Sequence, residues 1–284
     1  MGKNKIVLIL GGGGPAGIGM ERCLRATGID VYSTDDSLWS KQMIDGKSGW
    51  PEENPDLYLP IPDSLVWRWV NTPEYPIFLP DKKQVELCQD KAMCASILGD
   101  LAPKTYWIRD TKGAGGKGAQ MASEYLPGRN FSVEFVYKDG EELARFQKER
   151  ISYLVKAKEM DVTKSGSSAV SICRKNRRIT EIARLAITKI ARHTQTPLHG
   201  FYGVDLKESE DGSFKVTEIN AGRLLTASYS YYWLTGYNLP LIGINAALGL
   251  PKPKRTRYPL RYGIIRQIDQ EPKLFTPEQT EDWE

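Results

Sequence analysis

Histidine is almost missing from this 284-residue chain, which carries two. Its four cysteines (Cys23, Cys88, Cys94 and Cys173) show no CxxC spacing, and three sit in stretches that read as helix. These shortages argue against a zinc site and a disulfide scaffold, and predict reduced thiols in a cytoplasmic setting. Long apolar runs are lacking too. No stretch approaches the ~18 residues that a membrane span needs, and the short N-terminal apolar run leads into glycines rather than a signal-peptide pattern. Nor is there a strong charge of one sign: 39 basic against 35 acidic residues leave +4. The one basic run, RKNRR at 174–178, reads as a solvated loop before a helix, so neither nucleic acid nor membrane is an expected partner. No internal repeat or low-complexity tract is visible.

Glycine, by contrast, is concentrated in two loops. IVLILGGGGPAGIG at 6–19 is a buried-strand run spilling into a turn, and Gly12, Gly14 and Gly17 satisfy G-x-G-x-x-G. With the helix-like Pro15 to Gly28, the strand-like Ile29 to Thr34 and the pair Asp35-Asp36, this could be read as a dinucleotide site. Tight strand-to-helix turns need the same glycines, however, and too little chain follows before residue 80 for a six-strand dinucleotide fold. The second loop, KGAGGKGAQ at 112–120, fails the Walker A pattern because Gly118 follows Lys117 where Ser or Thr is required. Its backbone donors and two lysines still suit phosphate.

Further along, Asp81 to Leu101 reads as a helical stretch, and YWIRDT as a strand. FSVEFVY and ELARFQKERI read as antiparallel strands around a KDGE turn. Ile179 to Thr194 is an amphipathic helix. GFYGVDLKESEDGSFKVTEIN is a second hairpin, turning at EDGS. In that hairpin Glu218 and Asn220 are two apart and share a face, and Asp205 can reach it from the partner strand. Two carboxylates and an amide oxygen make a hard, all-oxygen donor set of the kind Mg²⁺ accepts beside nucleotide phosphates. YSYYWLTGYN at 229–238 reads either as the lining of an acceptor pocket or as a packed lobe interface.

In order along the chain, GGGGPAGIG, CQDKAMCASIL, WIRDTKGAGGKGAQ, SEYLPGRNFSVEF, ARFQKERI and GFYGVDLKESEDGSFKVTEINAGR resemble the signatures of the ATP-grasp superfamily, in particular its carbamoyl-phosphate-synthase-like ligases. The resemblance covers most of residues 5–225. It implies a mixed α/β and α+β fold: a small Rossmann-like pre-ATP-grasp domain over 1–80, then an ATP-grasp domain of antiparallel sheets with packed helices over 81–284. Within the latter, 81–123 would be a reduced first lobe and 124–284 the second lobe. The resemblance further implies that Arg109 meets the nucleotide phosphates, with Gly113, Gly115, Gly116, Lys117 and Gly118 closing over them. Glu124, Tyr125 and Leu126 match the linker that reads adenine, and Asn130 stands near the ribose. Asp205, Glu218 and Asn220 match the magnesium ligands, with Mn²⁺ as a substitute. Arg150 and Arg223 match the catalytic cations, although Asn220 to Arg223 is one residue longer than the commonest pattern.

The implied chemistry is ATP-dependent activation of a carboxylate as an acyl phosphate, followed by attack of an amine. The partners would be small-molecule carboxylate and amine substrates, with a homodimer compatible with the resemblance. Two other readings stay open: an ATP-binding module with little turnover, and an NAD-binding oxidoreductase built on the first glycine loop.

Overall fold

The structure is a computed structural model that describes residues 4–25, 27–72, 74–108, 120–153, 168–254, 256–267 and 270–283. IVLIL becomes β1 (Ile6–Leu10), buried at all five positions as a strand covered on both faces must be. Proline opens α1 (Pro15–Leu24), where its missing N–H costs nothing. The helix stops at Leu24, short of the Gly28 that the sequence suggested. β2 (Asp30–Thr34), α2 (Leu38–Lys41), β3 (Lys47–Ser48), β4 (Leu57–Pro60) and α3 (Asp63–Trp69) follow. The four strands form a parallel sheet in the order β3-β2-β1-β4. Val7 and Ile9 cluster with Met20 and Leu24 of α1, while Leu8, Leu10 and Tyr58 cluster with Trp69 on the other face.

The helical stretch over Asp81 to Leu101 consists of two helices, α4 (Lys82–Gln89) and α5 (Lys91–Leu98), with a 3₁₀ turn at Gly99–Leu101. Asp90 causes the break. Its extended backbone lets the carboxylate accept from the amides of Ala92 (3.1 Å) and Met93 (2.9 Å), an N-cap that restarts the helix. β5 (Thr105–Ile108) and β6 (Gln120–Ser123) form a two-stranded antiparallel sheet.

The largest unit is a seven-stranded antiparallel sheet. In chain order it is built from β7 (Asn130–Lys138), β8 (Glu141–Tyr153), β9 (Ser168–Cys173), β10 (Gly200–Glu208), β11 (Phe214–Ala221), β12 (Gly263–Ile265) and β13 (Lys273–Phe275). Its strands lie in the order β11-β10-β7-β8-β9-β12-β13. Asn176 caps α6 (Arg177–Thr194), which crosses between β9 and β10 and places Ile179, Ala183, Ala186, Ile187 and Ile190 on one buried stripe. That stripe, with α4 and α5, covers the sheet face formed by Phe131, Val133, Phe135, Tyr202 and Val204.

The opposite face is only partly covered. At one end Val136, Phe146 and Phe201 pack under α7 (Tyr229–Thr235), α8 (Leu239–Ala247) and the N-terminal unit. Tyr229, Tyr231 and Tyr232 are at most 2% exposed there, so these tyrosines pack an interface, and no residue of the tyrosine-rich segment lines the large cavity described below. At the other end the cover stops. Polar side chains take over, and these form the candidate site.

Candidate functional site

Strand alternation sets the site's floor. Residues opposite one another across antiparallel strands share a face, as do residues two apart on one strand. The pairings Lys148↔Ser132, Ser132↔Asp205 and Asp205↔Glu218 therefore make one continuous row across β8, β7, β10 and β11. Glu134↔Gly203 and Gly203↔Asn220 form the next row, and Arg150↔Asn130 flanks the first.

One irregularity is essential to this arrangement. Phe214 and Val216 of β11 belong to the apolar core, and unbroken alternation would send Glu218 and Asn220 the same way. The register shifts between Asp205 and Leu206, so that Leu206 faces Val216, Asp205 faces Glu218, and Thr217 is left over. This bulge hands the core face to Ile219 and Ala221 and turns Glu218 and Asn220 onto the face of Asp205.

Each oxygen donor matched to magnesium is held by a cation or guanidinium donor of the protein. Arg150 Nη2 donates to Asp205 Oδ1, with both side chains 15% exposed. Burial alone would lower the Arg150 pKa, but the Asp205 carboxylate outweighs it and the guanidinium stays charged. Lys91 Nζ lies 3.2 Å from Glu218 Oε1. Arg223 Nη2 donates to Asn220 Oδ1, while the Asn220 Nδ2 is buried without a partner. Among the described residues no three His, Cys, Asp or Glu side chains cluster as a metal site by themselves. The donor set, two carboxylates and an amide oxygen, is all hard oxygen, and that chemistry fits Mg²⁺ at a nucleotide.

Below the row lies a buried network absent from the sequence expectations. Lys148 Nζ donates to Ser228 Oγ at 2.6 Å, and Ser228 Oγ donates to Glu134 Oε1. Glu134 Oε2 also accepts from Tyr232 Oη (2.8 Å) and the Leu225 amide (3.1 Å). Lys148, Glu134 and Ser228 are all fully buried. Burial pushes the Glu134 carboxyl above the ordinary range, opposed by Lys148 and its hydrogen bonds. Burial likewise pushes Lys148 down to about 7, against the pull of Glu134 and with help from Arg150 and Arg266. Arg266 just beyond β12 adds a guanidinium whose Nη1 is buried with no partner. A glutamate at even spacing from Ser132 in the largely apolar β7 and a lysine at even spacing from Arg150 in β8 were the available sequence signals.

Above the floor opens a cavity of about 560 Å³. Lys148, Arg150, Asp205, Glu218, Asn220 and Arg223 all line it, so the structure brings both catalytic candidates and all three metal candidates to one space. Cys88, Cys94, Ala95 and Leu98 of α4 and α5 add an apolar wall. Glu124, Leu126 and Asn130 line it too. Tyr125 does not: its ring is 65% exposed, with Lys207 Nζ 5.3 Å from the ring centroid. Arg109, Gly113, Gly115, Gly116, Lys117 and Gly118 lie outside the described residues.

The first glycine loop spends its donors internally. The amides of Gly11 and Gly12 both donate to Thr34 O at 2.9 Å, that of Gly13 to Asp35 Oδ2 at 3.2 Å, and that of Gly14 to Gly11 O at 3.4 Å. A Cβ on Gly13 would stand 1.7 Å from the Ser40 carbonyl oxygen. These glycines admit neighbouring chain, and Asp35 ties down the loop it would have to leave to hold a ribose.

No family model matches the chain, and no curated protein is similar to it in sequence. Solved structures are similar in fold. N5-carboxyaminoimidazole ribonucleotide synthetase from Thermotoga maritima superposes with TM-score 0.63 at 16% identity, over 95% of this chain and 82% of that one. Carboxyaminoimidazole ribonucleotide synthase from Aspergillus clavatus, complexed with ATP, gives 0.59 at 15%, over 92% and 81%. The biotin carboxylase domain dimer of Hydrogenobacter thermophilus 2-oxoglutarate carboxylase, with MgADP, ADP and bicarbonate, gives 0.61 at 11%, over 93% and 75%. At such identities the likeness speaks for the architecture alone, and that architecture, a small parallel sheet ahead of a large antiparallel sheet with packed helices, is the ATP-grasp fold.

Proposed function

We propose that this protein is an ATP-dependent ligase that activates a carboxylate as an acyl phosphate and transfers the acyl group to an amine, releasing ADP and phosphate. The observation that carries the reading is the juxtaposition of Asp205, Glu218 and Asn220 with Lys148, Arg150 and Arg223 in one cavity. The neighbouring structures crystallised with ATP, or with MgADP and bicarbonate, add support through their shared fold.

In this reading the apolar wall of α4 and α5 receives the base, and the linker over Glu124 to Leu126 borders it. Asp205, Glu218 and Asn220 would hold Mg²⁺, which when bound neutralises charge on the nucleotide phosphates. Arg150 and Arg223 offer guanidinium forks to a phosphoryl group or carboxylate. Lys148, fully buried in the floor of the cavity beside Arg150, supplies when protonated a positive charge there, a seat for the carboxylate to be activated. A dry site protects an acyl phosphate from water.

ADP release measured across a panel of carboxylates, bicarbonate included, paired with amines tests the reading. Amine- and carboxylate-dependent ADP release is the expected result. Tight MgATP binding with no turnover on any pair would instead leave a nucleotide-binding module.

A further inference from the structure

The proposed ligase chemistry leaves the N-terminal unit without a task at the site, and its glycine loop without a ligand. We propose that this unit supplies a positioning residue: Asp63 holds Arg223 over the nucleotide site, so that the phosphate chemistry depends on a carboxylate contributed from outside the seven-stranded sheet.

The geometry is a two-point fork. Arg223 Nε donates to Asp63 Oδ1, and Nη2 donates to Asp63 Oδ2 at 3.0 Å. The same Nη2 also donates to Asn220 Oδ1, so one guanidinium is shared between a carboxylate of α3 and a metal-ligand candidate of β11. Only the first attachment can persist when Asn220 turns its oxygen to a metal. Asp63 then keeps the arginine in place through two parallel hydrogen bonds, the arrangement that best fixes a guanidinium plane.

Both sides of this contact are built by close approach. On the N-terminal side, Asp63 is the first residue of α3 and follows Pro62. The Pro62 ring lies against Gly11, where an added Cβ would stand 2.5 Å from its Cδ. The first glycine loop thus lets the turn carrying Asp63 seat on the end of β1. On the other side, Gly222 has φ +101°, and a Cβ there would stand 2.6 Å from Val66 Cγ1 of α3. One of the two residues between Asn220 and Arg223 is therefore a glycine pressed against the same short helix. It turns the chain so that Arg223 meets Asp63.

Asp63 is 60% exposed and Arg223 20%, so removing the aspartate takes away no core contact. This makes Asp63→Ala a clean test, with Asp63→Glu as the conservative rescue and Asp63→Ala/Arg223→Ala as the double variant. In hydrogen exchange of the ligand-free full chain, Asp63→Ala should exchange faster over residues 220–225 at unchanged melting temperature, and unchanged exchange there overturns the proposal. In ADP-release assays, Asp63→Ala should lower kcat by about 10²-fold, with KM for ATP within about threefold, as a displaced catalytic group does. Asp63→Glu should recover most of the loss, and the double variant should be no slower than Arg223→Ala alone. Independent, multiplying losses would overturn the proposal, as would a wild-type rate in Asp63→Ala. If the wild-type chain releases no ADP on any substrate pair, the ligase reading fails and the exchange measurement alone judges whether Asp63 holds Arg223.

Discussion

The two faces of the seven-stranded sheet use the same strands for different ends. On β7, Phe131, Val133 and Phe135 enter a core with α4 and α6, while the alternate residues Asn130, Ser132 and Glu134 form or underlie the floor of the cavity. Both sets are largely withdrawn from water, yet only the first gains from it. Burying Phe135 removes apolar surface from water, which is favourable; burying Glu134 and Lys148 strips two charges of hydration, which hydrogen bonds and mutual attraction only partly offset. The apolar face thus stabilises the fold while the polar face draws on that stability to hold charges ready.

That contrast can be broken from either side. The largest effect is expected on the apolar face: Phe135→Ala should cost about 3–5 kcal/mol of unfolding free energy by leaving a cavity. Activity per folded molecule should persist, as read by denaturant titration beside an ADP-release assay. Next, Glu218→Ala and Asn220→Ala should each reduce MgATP-dependent turnover by about 10²-fold or more, with circular dichroism and melting temperature close to wild type. Full turnover in both would remove them from the metal site.

The buried lysine gives a sharper test because its two requirements oppose each other. Its folded pKa, about 7, lies below the unfolded value near 10.4. Between those values the unfolded chain binds a proton that the folded chain does not, so Lys148 makes stability rise with pH across that window, by at most ~1.4 kcal/mol per pH unit. Below about pH 7 the folded chain carries the full penalty of a buried ammonium. Lys148→Met should abolish that rise in pH-dependent chemical denaturation while lowering turnover, and an unchanged pH profile would count against a depressed pKa. The smallest effect is expected at the rim, where Lys91 is largely exposed beside Glu218. Lys91→Ala should change stability by less than ~1 kcal/mol and leave the fold's melting curve nearly superimposable.

How much of this could be read from residues alone varied with the distance over which the interactions act. The strand–loop–helix start, the hairpin turning at Asp139-Gly140 and the amphipathic α6 all follow from local patterns, and the structure contains each. The split at Asp90 was also local, since the capping aspartate stands in the sequence, but helical continuity on either side hid it. The first glycine loop matched a dinucleotide fingerprint because close backbone packing and pyrophosphate binding call for the same residue. The internal hydrogen bonds of Gly11 to Gly14 and the Ser40 carbonyl against Gly13 separate the two.

By itself the sequence determined the alternation that puts Glu218 and Asn220 on one face, the hard-oxygen character of that pair with Asp205, and the order of motifs that resembles ATP-grasp ligases. Tertiary structure decided which way that face points. The leftover Thr217 reverses the parity of β11 between Val216 and Glu218, and a bulge exists only relative to a partner strand. Tertiary structure also brought Lys148 to Ser228 across 80 residues and Arg223 to Asp63 across 160. Such contacts form where separate elements happen to pack, and no local periodicity encodes them.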